Sequence, residues 1–174
     1  SVDPVTGKCL FVLNNASTAV QSLAAGETKT FTFDIMLYGK DTGEKLTVTV
    51  TGTNDAPVVS GLATQQNIDE GLVPSEISDI FSVEDVDKDA ITVTAVDAKH
   101  GTVTVEKTSD GQWKYVYTPG DRWKTLDLKS GENETDTFDL RISDGTVTKT
   151  ETVTVTWKGA NNNPEATSMT KAVK

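Results

Sequence analysis

Asp85, Asp87 and Asp89 stand at alternate positions in Glu-Asp-Val-Asp-Lys-Asp-Ala (84–90), and three carboxylates so spaced invite a hard cation. Calcium takes about six to eight oxygen ligands at about 2.3–2.6 Å, so the chain would have to curl tightly to turn all three inward. Left uncurled, the same residues make an exposed acidic turn ahead of a strand, and the spacing leaves both open. An EF-hand is excluded. Counting from Asp85, the sixth position, which needs glycine, is Ala90, and the twelfth, which needs glutamate, is Val96. Asp144, in Ile-Ser-Asp-Gly-Thr-Val (142–147), either caps a hairpin turn or lends an oxygen to the same site.

Other chemistry finds little to build on. His100 is the one histidine and precedes Gly101 in an expected turn, which leaves a nucleophilic triad or a zinc site without a frame. The single Cys9 has no second thiol to pair with and is expected to be a small buried apolar residue. Acids are abundant, yet no two are set apart as an acid and a base for glycoside hydrolysis. The expected protein is not an enzyme. Trp113, Tyr115 and Tyr117 alternate along one stretch and share a face, where an aromatic stripe serves a core or a sugar platform; core packing is the expected role.

Composition agrees with a cation partner. Lys and Arg total 16 against 26 for Asp and Glu, a net charge of −10 over 174 residues. An acidic chain without a basic cluster repels phosphate backbones and anionic lipid, so nucleic acid and direct membrane insertion are not expected. No apolar run approaches the roughly 20 residues that span a bilayer. Ser1 opens no signal peptide, so any export signal is expected outside this stretch.

The elements that would position these residues are strands. Residues 29–37, 45–52, 90–96, 101–107, 113–119, 135–142 and 149–157 alternate apolar or aromatic residues with Thr, Asp or Lys, the period-two pattern of strands buried on one face. Turns are expected at Gly39–Gly43, Asp110–Gly111 and Asp144–Gly145. Residues 17–26 and 121–131 have room only for a short helical turn each. Strands at roughly ten-residue spacing suggest an all-β sandwich.

The chain also repeats itself. A shift of 105 lays Leu23 on Leu128, Gly26 on Gly131, Glu27 on Glu132, Phe33 on Phe138 and Asp34 on Asp139. A shift of 107 then lays Val48 on Val155, Gly52 on Gly159, Asn54 on Asn161 and Pro57 on Pro164, while upstream a shift of 104 lays Gly7 on Gly111, Cys9 on Trp113 and Phe11 on Tyr115. The repeat divides the chain into a C-terminal half-repeat (1–53), a linker (54–57), a complete repeat (58–158), and a linker with the start of a third repeat (159–174). A half-repeat without its front strands is expected to expose an unpaired edge and an incomplete core.

The stretch from Asn14 to Ile35, followed by Leu-Thr-Val-Thr-Val-Thr-Gly-Thr-Asn-Asp-Ala-Pro-Val-Val (46–59), resembles the back half of VCBS or bacterial cadherin-like repeats, and 81–96 with 101–119 resembles the front half. The resemblance implies tandem immunoglobulin/cadherin-like β-sandwiches, the first incomplete, of large secreted RTX-type adhesins at the bacterial cell surface. It implies a non-catalytic, calcium-stiffened stalk, spacer or scaffold in adhesion and biofilm formation. The implied partners are neighbouring repeats of the same chain, with host or surface ligands bound through other domains. By the cadherin arrangement, calcium would take Asn54 and Asp55 from the linker, Asp69 or Glu70 as the acid of a strand base, and Asp85 and Asp87 from the turn. The other reading is a split scaffold that carries, or forms part of, a sugar- or protein-binding tip module.

Overall fold

The structure, a computed structural model, describes residue 3 and residues 5–69, 74–125 and 128–160. A single helical turn, α1 (Thr18–Gln21), precedes ten strands: β1 (Thr28–Leu37), β2 (Lys40–Thr51), β3 (Val58–Ser60), β4 (Gln65–Asp69), β5 (Ile77–Glu84), β6 (Thr92–Val96), β7 (Gly101–Lys107), β8 (Trp113–Pro119), β9 (Asn133–Ser143) and β10 (Thr148–Lys158). A 3-10 turn at Asp121–Thr125 follows β8. The strands form a two-stranded sheet β1-β2 and two four-stranded sheets, β4-β10-β9-β6 and β3-β5-β8-β7. Two compact units divide the chain. One takes Ser1–Val59 with Val83–Thr92 and Ile142–Lys149, and the other takes Ser60–Ser82, Val93–Arg141 and Thr150–Lys174.

In the second unit, alternation builds the core. Tyr115 and Tyr117 of β8, Phe138 and Leu140 of β9, and Val153, Val155 and Trp157 of β10 turn inward and are buried. Tyr117 stacks on Phe138 with ring centroids 5.7 Å apart, and Trp123, delivered by the 3-10 turn, stacks on Trp157 at 3.7 Å. An acid sits within this core. Asp136 accepts hydrogen bonds from the backbone N–H groups of Lys99, His100 and Thr137 and from the Tyr117 hydroxyl at 2.9 Å, so its charge is solvated by protein donors. Trp123 Nε1 donates to the Tyr117 hydroxyl and to the carbonyl of His100, while burial and then the Asp136 carboxylate push the Tyr117 phenol up.

The first unit holds the antiparallel β1-β2 hairpin. Tyr38 and Gly39 both adopt positive φ (48° and 77°), the pair that a two-residue turn matching strand twist requires. The reversal is therefore complete at Gly39, and Lys40–Gly43, expected as turn, belongs to β2. Extra residues around Gly43 (φ 77°) bulge opposite Ile35, where Thr42 Oγ1 donates to the Ile35 carbonyl. Of the residues in this hairpin none is buried. Cys9 is exposed, against the expectation of burial, on a stretch whose adjacent residues Lys8 and Leu10 are exposed as well.

Three strands were not expected from alternation. Val58–Ser60 is only three residues long, β4 is mostly polar, and β5 carries apolar side chains on both faces, with Ile80 exposed while Ile77 and Phe81 are buried. The sequence equivalence recurs in the hydrogen bonds. Glu27 N donates to Ala24 O and Gly52 N to Glu27 O; Glu132 N donates to Lys129 O and Gly159 N to Glu132 O. Each glutamate carboxylate also accepts the N–H three residues back, from Ala24 and from Lys129.

Candidate metal centre

The stretch between β5 and β6 does curl. Asp85 Oδ1 accepts the N–H of Asp87 at 2.9 Å and of Asp89 at 3.3 Å, and Lys88 takes a left-handed conformation (φ 66°) that reverses the chain between them. The alternate carboxylates consequently turn to one side, with one oxygen from each of Asp85, Asp87 and Asp89 lying within 4.8 Å of the others.

Two further segments of the same unit close on this group. Asp55 N–H donates to Asp87 Oδ2 at 2.7 Å, and Asn54 Nδ2 donates to Asp144 Oδ2 at 2.9 Å. Asp144 is buried and caps the hairpin turn. Its Oδ1 accepts the N–H groups of Thr146 and Val147 and so closes the β9–β10 turn, while its charge reaches Asp89. Asn54, Asp55, Asp85, Asp87, Asp89 and Asp144 thus share one neighbourhood. Asp69 is the exposed last residue of β4, in register with Lys158 of β10, and belongs to the other unit. Glu70 lies outside the described residues, as do Asn161, Asn162 and Pro164 of the second linker.

The electrostatics of the cluster are unbalanced. Burial, followed by the charges of Asp85, Asp87 and Asp144, pushes the Asp89 carboxyl above the ordinary carboxylate value. Asp144 is held below that value, first by the Val147 N–H and then by the Asn54 amide. Asp85 Oδ2 and Asp87 Oδ1 are buried without a hydrogen-bond partner. A buried carboxylate oxygen costs free energy unless a donor or a cation meets it. Hard, anionic, all-oxygen donors fit calcium or magnesium rather than a thiophilic metal.

The family model of the bacterial cadherin-like domain matches residues 54–159. The chain belongs to that family. The match opens on Asn54 and takes in every residue of the acidic neighbourhood. Cadherin-like domains are adhesion or structural modules, typically extracellular and non-catalytic, and generally bind calcium. No helix among the described residues is long and apolar enough to cross a membrane.

No curated protein matches the chain. Among solved structures, protocadherin gamma C5 EC1-3 is 14% identical with a TM-score of 0.46, the alignment covering 89% of this chain and 48% of that one. Mouse clustered PcdhgC3 EC1-3 is 15% identical with a TM-score of 0.43, over 78% and 44%. An endo-fucoidan hydrolase from glycoside hydrolase family 107 is 20% identical with a TM-score of 0.37, over 82% and 20%. This cadherin-like chain therefore spans a fifth of the hydrolase and under half of either protocadherin chain.

Proposed function

We propose that the chain is a non-catalytic, calcium-stiffened module of a large secreted bacterial adhesin, a stalk or scaffold segment serving attachment and biofilm formation. It is read as a C-terminal half-repeat (1–53), a linker (54–57) and a complete repeat (58–158), followed by the start of another. The observation that carries the calcium reading is the pair of buried, unpartnered oxygens, Asp85 Oδ2 and Asp87 Oδ1, inside the group of three acids Asp85, Asp87 and Asp89. A divalent cation would meet both oxygens and offset the mutual repulsion. Asp85, Asp87 and Asp89 would be the principal ligands, with Asp144 and the linker residues Asn54 and Asp55 beside them. Because the linker is already tied to Asp87 and Asp144, an ion there would fix residues 54–55 against the loops on which the acids lie.

A ligand that binds the native state stabilises it by RT ln(1 + [L]/Kd), about 1.4 kcal/mol per site at ten times Kd. Extracellular modules bind calcium with Kd of roughly 0.1–1 mM. The expected result is a melting temperature several degrees higher in about 10 mM calcium than in chelator, lost when Asp87 is replaced by Asn. Superimposable melts would refute the calcium reading.

A further inference from the structure

A groove of about 660 Å³ separates residues 9–12 from the β1-β2 sheet, with Cys9, Phe11, Phe33, Ile35 and Leu46 among its walls. Its apolar lining faces solvent: Phe33 is 44% exposed, Met36 53%, Leu10 64% and Val12 77%. The residues equivalent by the internal repeat are fully or almost fully buried: Tyr115 for Phe11, Phe138 for Phe33, Leu140 for Ile35 and Val153 for Leu46. Of these counterparts Phe33 is exposed and Phe11, Ile35 and Leu46 are half-buried, so positions that are core in one repeat are only partly covered in the other.

The register of the complete repeat shows what is needed to cover them. β8 lies between β5 and β7, with Trp113 opposite Phe81 on one side and Lys107 on the other, and Tyr115 opposite Asp79 and Val105. Lys8–Leu13, within the counterpart of β8, holds only an isolated bridge at Cys9 and no continuous strand. Asp3 and Lys8 are nevertheless joined much as the ends of the β7–β8 turn are, with one more residue between them. Asp3 N donates to Lys8 O and Gly7 N to Asp3 O, as Thr108 N donates to Gln112 O and Gly111 N to Thr108 O in the β7–β8 turn, and Gly7 and Gly111 share a left-handed φ (69° and 83°). Asp3 is thereby held beside Lys8.

We propose that the groove is the seat of a front half-repeat, a β5-like and a β7-like strand carried by the same polypeptide on the stretch that leads into Asp3. Lys8–Leu13 then becomes a strand between them, and Cys9, in the place of Trp113, faces the position equivalent to Phe81. The proposal rests on the tandem-repeat reading and is independent of calcium.

The test joins a second copy of residues 58–105 ahead of Ser1 in the full chain. Cys9, the single thiol, should react with an aromatic disulfide reagent at least about tenfold more slowly than in the unextended chain, because thiol reactivity follows exposure. A cysteine replacing Phe81 in the added copy should form a disulfide with Cys9 in oxidised glutathione. One replacing Ile80, on the opposite face, should not, since directly opposite strand residues alone bring Cα atoms within the roughly 4.4–6.8 Å a disulfide spans. Unchanged Cys9 reactivity, or equal crosslinking at the two positions, overturns the proposal. So does slowing that rises with the concentration of the unextended chain, which would make a second copy the occupant. Melting of the extended chain with calcium and with chelator reads the cation site separately, so failure of docking is distinguishable from failure of the calcium reading.

Discussion

The Asp89 and Asp144 carboxyls are shifted in opposite directions within one cluster, and that difference is open to measurement. The Asp89 carboxyl is raised by burial and by neighbouring acids, so the folded state holds its proton more tightly than the unfolded chain does. Its contribution to stability is present below the ordinary carboxylate value and is lost as pH rises through the raised one. At neutral pH without a cation, Asp89→Asn should therefore raise the melting temperature, yet shrink the gain that calcium gives. Asp144 is lowered by the Val147 and Asn54 donors, so its contribution is present above the ordinary value and disappears as pH falls through the lowered one. Asp144→Asn should lower the melting temperature at neutral pH, by an amount that vanishes in acid. Melts of both variants in chelator across pH check the pair, and shifts of the same sign would contradict it. The three alternate aspartates were legible as candidate ligands because their spacing is local. The left-handed Lys88 that gathers them is invisible in composition, since lysine carries no preference for that conformation.

At the scale of elements, two glycines close the strand ends that the repeat equates. A Cβ on Gly52 would lie 2.2 Å from the carbonyl oxygen of Leu23, and one on Gly159 would lie 2.1 Å from that of Lys129. Both contacts are to backbone, which cannot rotate aside, so the strand end must part from the turn that Glu27 or Glu132 organises. Gly52→Ala and Gly159→Ala should each cost roughly 1–3 kcal/mol in urea unfolding, whereas Gly111→Ala, with no atom within 4 Å of its Cβ, carries only the strain of its positive φ. The strands from β6 onward were readable because apolar and polar residues alternate over five or more positions. β3 and β4 escaped because their pairing is set by partners far away in sequence; β4 runs parallel to β10, in register from Gln65 with Thr154 to Asp69 with Lys158. Tyr38 likewise gives no advance sign that it forms half of the hairpin turn.

Over the whole molecule, the cores of the two repeats differ more than their sequences do. The complete repeat buries Phe81, Tyr115, Tyr117, Trp123, Phe138 and Trp157, while Leu23 is the hydrophobic residue buried within the described part of residues 1–53. Local opening should be easier where little apolar area is buried. Amides of β1 and β2 are therefore expected to exchange with deuterium at least about a hundredfold faster than those of β8 and β9, as peptide-level exchange would show. Equal protection would mean that the hairpin draws stability from contacts other than apolar burial.

Sequence alone determined the all-β class, the internal repeat and the acidic stretch, because each is written in short-range periodicity or in direct self-comparison. It also pointed to Asn54, Asp55, Asp69, Glu70, Asp85, Asp87, Asp89 and Asp144. Tertiary structure decided which of the proposed acids meet. Asn54 reaches Asp144 across 90 positions and Asp55 reaches Asp87 across 32. Only the folded chain could reveal that Cys9 is exposed and that Asp136 is buried. Burial of an individual side chain depends on the layer packed over it, and that layer is supplied by strands remote in the chain.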